Sequence, residues 1–268
     1  MITFLYFCPE KVSQFDPIIE VIEEEYEIPH LNVKRKISAL LPYDYHLSSK
    51  QYPVLYLQDG QNLFNPQAPY GDWAINKSLG KLAATGFKDI IIIAIDHGEQ
   101  KRMLEYLPYD HPRFGKGKGK LYIRFMEEKL IPYVNSHYRT LSGYESVGIG
   151  GSSMGGLISL YAGLTEPEVF GKMMIFSPSL WISTEIFQQA KAFKALPSSR
   201  IYVYAGGKES QAHLPNVLQL ESIFKKKLDK GAFFDMEVSV NHLGEHAEVY
   251  WREEFPKALK WLFFNNSI

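Results

Sequence analysis

Two kinds of hydrophobic pattern follow one another along the chain, and their order predicts its architecture. Near the N-terminus, Ile18–Ile28 alternates weakly and is rich in glutamate; Leu31–Leu41 alternates more clearly through Val33, Lys34, Arg35, Lys36, Ile37, Ser38 and Ala39. Such alternation marks half-exposed strands, so the two segments are expected as antiparallel strands at one edge of a sheet, the second closed by Pro42. From Tyr52 the pattern changes. Tyr52–Gln58 (YPVLYLQ), Asp89–Asp96 (DIIIIAID), Met173–Phe176 and Ile201–Ala205 are almost continuously apolar, as strands buried on both faces must be. Phe233–Val240 reads as the last strand.

Helical spacing lies between these runs. A short helix is expected to end near Ala84, and a longer one spans Leu121–His137 with a kink at Pro132. Leu157, Leu160, Tyr161 and Leu164 form one stripe; Val217, Leu220, Phe224 and Leu228 form another within Asn216–Leu228. Trp251, Phe255, Leu259 and Leu262 mark a closing helix, interrupted at Pro256. Strands alternating with helices predict an α/β fold, a mainly parallel sheet with helices on both faces and antiparallel N-terminal edge strands. With no repeat, linker or low-complexity tract, residues 1–268 read as a single domain without an inserted cap. His97 to Gly119 has many charges, prolines and glycines and little periodicity, so it is expected to be a loop that covers a site.

Composition narrows the partners. A net charge of −1 supplies no field to draw nucleic acid or an anionic membrane, and no apolar run is long enough to span a bilayer. The single cysteine, Cys8, rules out an intrachain disulfide and fits a reducing, cytoplasmic setting. Met1 to Cys8 lacks the length and the basic start of a signal peptide. A homodimer is compatible with these numbers, and no cofactor or metal is called for.

The candidate chemistry centres on Val147–Leu157, which reads as a buried strand, a tight turn and a helix start. The turn spells G-x-S-x-G as Gly151-Ser152-Ser153-Met154-Gly155. In strand–turn–helix hydrolases this turn is strained and lifts the central serine above the sheet edge, and its glycines are needed because a Cβ at either flank would collide. Ser153 is therefore the candidate nucleophile, and Ser152, in the variable slot, is expected to point elsewhere.

A serine hydroxyl needs a base, and the base an orienting acid. In the order serine, acid, histidine, the base is expected to be His246, in Gly244-Glu245-His246 between the last strand and the closing helix; His242 and His213 are the alternatives. The acid is expected after Ile201–Ala205, where Glu209 is the first carboxylate; Glu221, in the following helix, is the second choice. Oxyanion donors are expected in the backbone N–H of Met154 and of Gln61, the latter in the loop Asp59-Gly60-Gln61-Asn62.

With these residues assigned, the chain resembles the esterase family of α/β-hydrolases that includes enterochelin esterases, esterase D-like hydrolases, carbohydrate esterases such as feruloyl and acetyl xylan esterases, and mycolyltransferases. The resemblance runs from about Val33 to Phe264. It rests on YPVLYLQDGQNLF, GDWAIN, RMLEYLPY, GIGGSSMGGLISLYAG, FSPSLW, GGKES and GEHAEVYWREEFPKALKWLF, in that order. It implies Ser153 as nucleophile, His246 as base, and Gln61 and Met154 as oxyanion donors. It also implies Asp59, Asn62, Arg102 and Tyr106 around the pocket, with Arg102-x-x-Glu105-Tyr106 supplying an internal ion pair. Trp181 is a further pocket candidate, able to stack on an aryl or sugar group. The expected activity is hydrolysis of a small-molecule carboxylic ester through an acyl-enzyme. The alternatives are acyl transfer at the same site and a non-catalytic binding protein that keeps the fold.

Overall fold

The continuous apolar runs form the middle of the sheet. A computed structural model describes residues 13–264, so Cys8 and the apolar N-terminal run lie outside the described residues. The strands are β1 (Ile18–Ile28), β2 (Val33–Leu41), β3 (Val54–Gln58), β4 (Ile91–Ile95), β5 (Val147–Ser152), β6 (Lys172–Phe176), β7 (Arg200–Gly206) and β8 (Asp235–Asn241). They make one sheet in the order β1-β2-β4-β3-β5-β6-β7-β8. β1 pairs antiparallel with β2, and β2 with β4; every other pairing is parallel.

Side chains alternate across the sheet and fill a core on each face. From β3 and β4, Val54, Tyr56, Ile91, Ile93 and Ile95 enter one core. Leu55, Leu57, Ile92 and Ala94 enter the other. The helices are α1 (Ile75–Ala84), α2 (Arg102–Glu105), α3 (Gly119–Phe125), α4 (Ile131–His137), α5 (Met154–Thr165), α6 (Glu185–Ala192), α7 (His213–Leu228) and α8 (Glu248–Phe263). Residues of α3, α5, α6 and α7 belong to the first core, whereas α1 and α8 cover the second. Among the described residues, no helix is long and apolar enough to cross a membrane.

β1 is an edge strand, and its register against β2 shifts twice, between Val21 and Glu23 and between Glu23 and Tyr26. Its exposed glutamates meet lysines across the pair: Lys36 Nζ lies 2.9 Å from Glu24 Oε1, and Lys34 Nζ lies 2.9 Å from Glu25 Oε2.

Two expectations are corrected, at Pro256 and at the start of α7. α8 runs through Pro256 without interruption, because the apolar face of Trp251, Phe255, Leu259 and Leu262 is buried on both sides of it. Pro132 lies within a helical run that continues from Gly119 to His137, and a π turn over Met126–Leu130 comes immediately before α4. α7 begins at His213, before Asn216, since Pro215 falls in its first turn. The expected loop from His97 to Gly119 is partly structured: it contains α2, and His111 and Gly115 exchange two backbone hydrogen bonds.

Candidate active site

Ser153 sits between β5 and α5 with φ 58° and ψ −121°, a backbone state that a non-glycine residue adopts only under strain of about 1–3 kcal/mol. The surroundings hold it there. Its N–H donates to the Phe176 carbonyl at 3.0 Å, and its own carbonyl accepts from the N–H groups of Leu157 and Ser179, each at 3.0 Å. The flanking glycines have the expected mechanical reason. A Cβ at Gly151 would lie 2.9 Å from the Gly155 carbonyl carbon, and one at Gly155 would lie 2.8 Å from Asp59 Oδ2. The Ser153 hydroxyl is 3.3 Å from Ser179 Oγ.

At the ends of β7 and β8 the structure brings the expected acid and base together. Glu209 Oε2 lies 2.6 Å from His246 Nδ1. The other oxygen, Oε1, accepts from Ser177 Oγ at 2.6 Å and from the Gly206 N–H at 2.9 Å. The Glu209 side chain is 2% exposed and that of His246 45%, so a buried anion steadies a ring open to solvent. Burial pushes the Glu209 carboxyl upward, but hydrogen bonds from His246 and Ser177, the nearby His213 and the Gly206 N–H outweigh it and hold the carboxyl below its ordinary range. Of the alternatives, Glu221 pairs with Lys225 at 2.7 Å on α7 instead, and His242 is exposed beyond the end of β8.

Ser153 and His246 line one cleft of ≈ 610 Å³ together with Asp59, Asn62 and Arg102, three of the expected pocket residues. Arg102 grips Asp59 with Nε–Oδ1 and Nη2–Oδ2 contacts, both 2.7 Å. Asp59 itself is left-handed, at φ 61°, and opens the tight turn Gly60–Asn62. The Gln61 side chain braces that turn: Nε2 donates to the His97 carbonyl at 3.1 Å, and Oε1 accepts the His97 N–H at 2.9 Å.

Three expectations about this loop are corrected. Arg102 and Glu105 form two separate ties, Arg102 to Asp59 and Glu105 to Arg35 Nη2 through both carboxylate oxygens. Tyr106 is 1% exposed and packs on Tyr122 beneath the site, with ring centroids 5.3 Å apart, so it does not line the cleft. Trp181 is 55% exposed and lies outside the cleft lining, its ring edge-on to Phe114 at 6.4 Å.

Other residues join the site in roles that their sequence motifs do not announce. Ser177, fully buried at φ 42°, both donates to Glu209 and accepts from Trp251 Nε1 at 2.9 Å. The Trp251 ring stands edge-on to His246 at 5.0 Å. His213, 6% exposed, places Nε2 3.4 Å from Glu209 Oε1, and burial lowers its proton affinity. Glu248 also lines the cleft. Spacing offers one signal: His213 lies four residues after Glu209, at a helix start. Among the described residues, no group of three or more His, Cys, Asp or Glu side chains is arranged to hold a metal ion.

The chain is similar to several known proteins. The Bacillus subtilis (strain 168) protein YbbA is 25% identical over 249 residues, covering 88% of this chain and 96% of its own. Esterase MT1326 of Mycobacterium tuberculosis is 30% identical over 124 residues, which is 46% of this chain and 25% of that protein. Among solved structures, an IroE-like serine hydrolase from Shewanella oneidensis superimposes with a TM-score of 0.72 at 20% identity, covering 94% of this chain and 81% of that one. The enterochelin esterase of Shigella flexneri does so with a TM-score of 0.70 at 18% identity, over 96% of this chain and 60% of that one. At such identities the two structures establish the shared fold. The sequence model of the family described as "Putative esterase" matches residues 28–262, nearly the whole sheet and its helices, and the chain belongs to that family.

Proposed function

We propose that the protein is a serine carboxylester hydrolase that works through an acyl-enzyme. The observation that carries this reading is the 2.6 Å contact between His246 Nδ1 and Glu209 Oε2, made in the cleft that also exposes Ser153. With the Nδ1 proton held by the carboxylate, Nε2 keeps its lone pair and can take the Ser153 proton as Oγ attacks the ester carbonyl. The new oxyanion would be met by the Met154 N–H, one of the unpaired donors at the start of α5, and by the Gln61 N–H. Packing of the Asp59 carboxylate against Gly155 supports Gln61 in this role, since it sets the Gly60–Asn62 turn beside the first turn of α5. Collapse of the tetrahedral adduct breaks the bond to the alcohol oxygen, and His246 returns its proton there. Water then repeats the sequence on the acyl group. The substrate is a small-molecule ester, and a cytoplasmic setting accords with the single cysteine.

A fluorophosphonate probe and a series of p-nitrophenyl esters test the reading. Ser153 should be the labelled residue, and Ser153→Ala should lose at least about 10³-fold in kcat. Labelling elsewhere, or turnover unchanged in that variant, refutes it. Acylated alcohol among the products when an alcohol is added would shift the reading to acyl transfer at the same serine.

A further inference from the structure

The short segment that follows β6 gives a hydroxyl to each end of the proposed triad. Ser177 Oγ donates to Glu209 Oε1 at 2.6 Å, and two positions on, Ser179 Oγ lies 3.3 Å from Ser153 Oγ. Backbone hydrogen bonds fix the segment from both sides. The Ser177 N–H donates to the Tyr204 carbonyl on β7 at 2.9 Å; the Ser179 N–H donates to the Ser153 carbonyl, and the Ser153 N–H to the Phe176 carbonyl, each at 3.0 Å. Packing holds it as well. A Cβ at Gly156, in the first turn of α5, would lie 2.9 Å from the Phe176 carbonyl oxygen and 3.3 Å from Pro178 Cα. Ser179 is 5% exposed and is not part of the cleft lining that Ser153 and His246 share, so it reaches the Ser153 oxygen from within the protein.

The number of protons decides which oxygen donates during the reaction. Ser153 has one hydroxyl proton, and the proposed mechanism sends it to His246 Nε2. From then on Ser153 Oγ can only accept, which makes Ser179 the donor. Such a bond grows stronger as its acceptor gains negative charge, roughly twofold for an ionised acceptor. At rest it is weak: 3.3 Å exceeds the about 2.7–2.8 Å usual for O–H···O, so the bond has room to tighten. A contact that is stronger in the transition state than in the ground state lowers the barrier.

We propose that Ser179 is a further catalytic residue, a fixed hydroxyl donor to the nucleophile's own oxygen. As Ser153 Oγ passes its proton to His246 and bonds to the ester carbon, Ser179 donates to Oγ and keeps its own proton. In deacylation the Oγ–carbon bond breaks, its electron pair returns to Oγ, and Ser179 donates again until His246 protonates that oxygen. The Met154 and Gln61 N–H groups, by contrast, serve the carbonyl oxygen. This role rests on the esterase reading above.

Ser179→Ala tests it. Turnover of p-nitrophenyl esters should lose at least about tenfold in kcat, equivalent to about 1.4 kcal/mol. KM should stay nearly unchanged, because acylation and deacylation slow together. The rate at which a fluorophosphonate labels Ser153 should fall by a similar factor, since that reaction needs the activated oxygen but no deacylation. Ser179→Cys, whose thiol is a weaker donor, should lie between alanine and wild type. If Ser179→Ala fails to fold, the cysteine variant decides: slower turnover and slower labelling support the role, and wild-type rates overturn it. Rates in folded Ser179→Ala equal to or above wild type, a loss confined to KM, or an unchanged labelling rate also overturn it and leave the esterase reading standing. No turnover of any ester by the wild-type protein, with no phosphonate label on Ser153, removes the esterase reading itself.

Discussion

Replacing Ser177 by alanine isolates the support beneath the acid. Its hydroxyl is fully buried, donates to Glu209 Oε1 at 2.6 Å and accepts from Trp251 Nε1 at 2.9 Å. Ser177→Ala therefore removes a hydrogen bond to a charged group, a loss of about 1.5–3 kcal/mol, and leaves a buried indole N–H unsatisfied, a further cost of about 1–3 kcal/mol. With partial relaxation, a net loss near 3 kcal/mol is expected in urea unfolding. The deficit should depend on pH. Glu209 has a folded pKa below its ordinary value of 4.5, so it contributes stability that is present above that value and lost as pH falls through the folded pKa. The variant raises the folded pKa and shrinks that contribution, so the deficit should be largest near neutral pH and smaller in acid. Ser177→Gly is the control: glycine accepts φ 42° without strain, yet it should be nearly as destabilised because it too lacks the hydroxyl. A loss below about 1 kcal/mol, a deficit independent of pH, or a glycine variant as stable as wild type would each refute the argument.

Three further outcomes are expected. Gly155→Ala should destabilise by about 2 kcal/mol and reduce ester turnover, because its Cβ would lie 2.8 Å from Asp59 Oδ2 and disturb the Arg102 pair; calorimetry and the p-nitrophenyl assay check both. His213 has a folded pKa lowered from 6.5 by burial, so the folded state resists its protonation and stability should fall as pH drops below about 6.5; His213→Gln should flatten that slope in pH-dependent urea titrations. Pro256→Ala should raise stability by about 1–2 kcal/mol in thermal unfolding, since α8 already continues through a residue that cannot donate its helical hydrogen bond.

What the sequence revealed and what it withheld follow from the range of the interactions. Strands buried on both faces must be apolar at every position, so Tyr52–Gln58 and Asp89–Asp96 declared themselves, although the paired strands β3 and β4 are shorter than those runs. The turn at Ser153 was legible because a local steric conflict dictates its glycines. His246 and Glu209 could be found from their order after strand ends, and the structure sets them 2.6 Å apart. Contacts fixed only by tertiary packing left no such trace. Arg102 chooses Asp59, 43 positions away, and Glu105 chooses Arg35, 70 positions away; their helical neighbourhood predicts neither. Tyr106 turns inward and Trp181 outward for the same kind of reason, since an aromatic residue in a loop carries no periodicity to say which face it takes. Pro256 shows local propensity yielding to a buried helix face.

The glutamates of β1 bear on how copies of the chain meet. An unpaired strand margin offers backbone groups to any similar margin, and two copies aligned there would match acid against acid along Glu23, Glu24, Glu25 and Glu27. The lysines that neutralise two of those carboxylates belong to β2 within the same molecule and are already engaged. Among the described residues, pairing through this margin would work against electrostatic repulsion and against the two register shifts that interrupt the strand at the N-terminal side of the sheet.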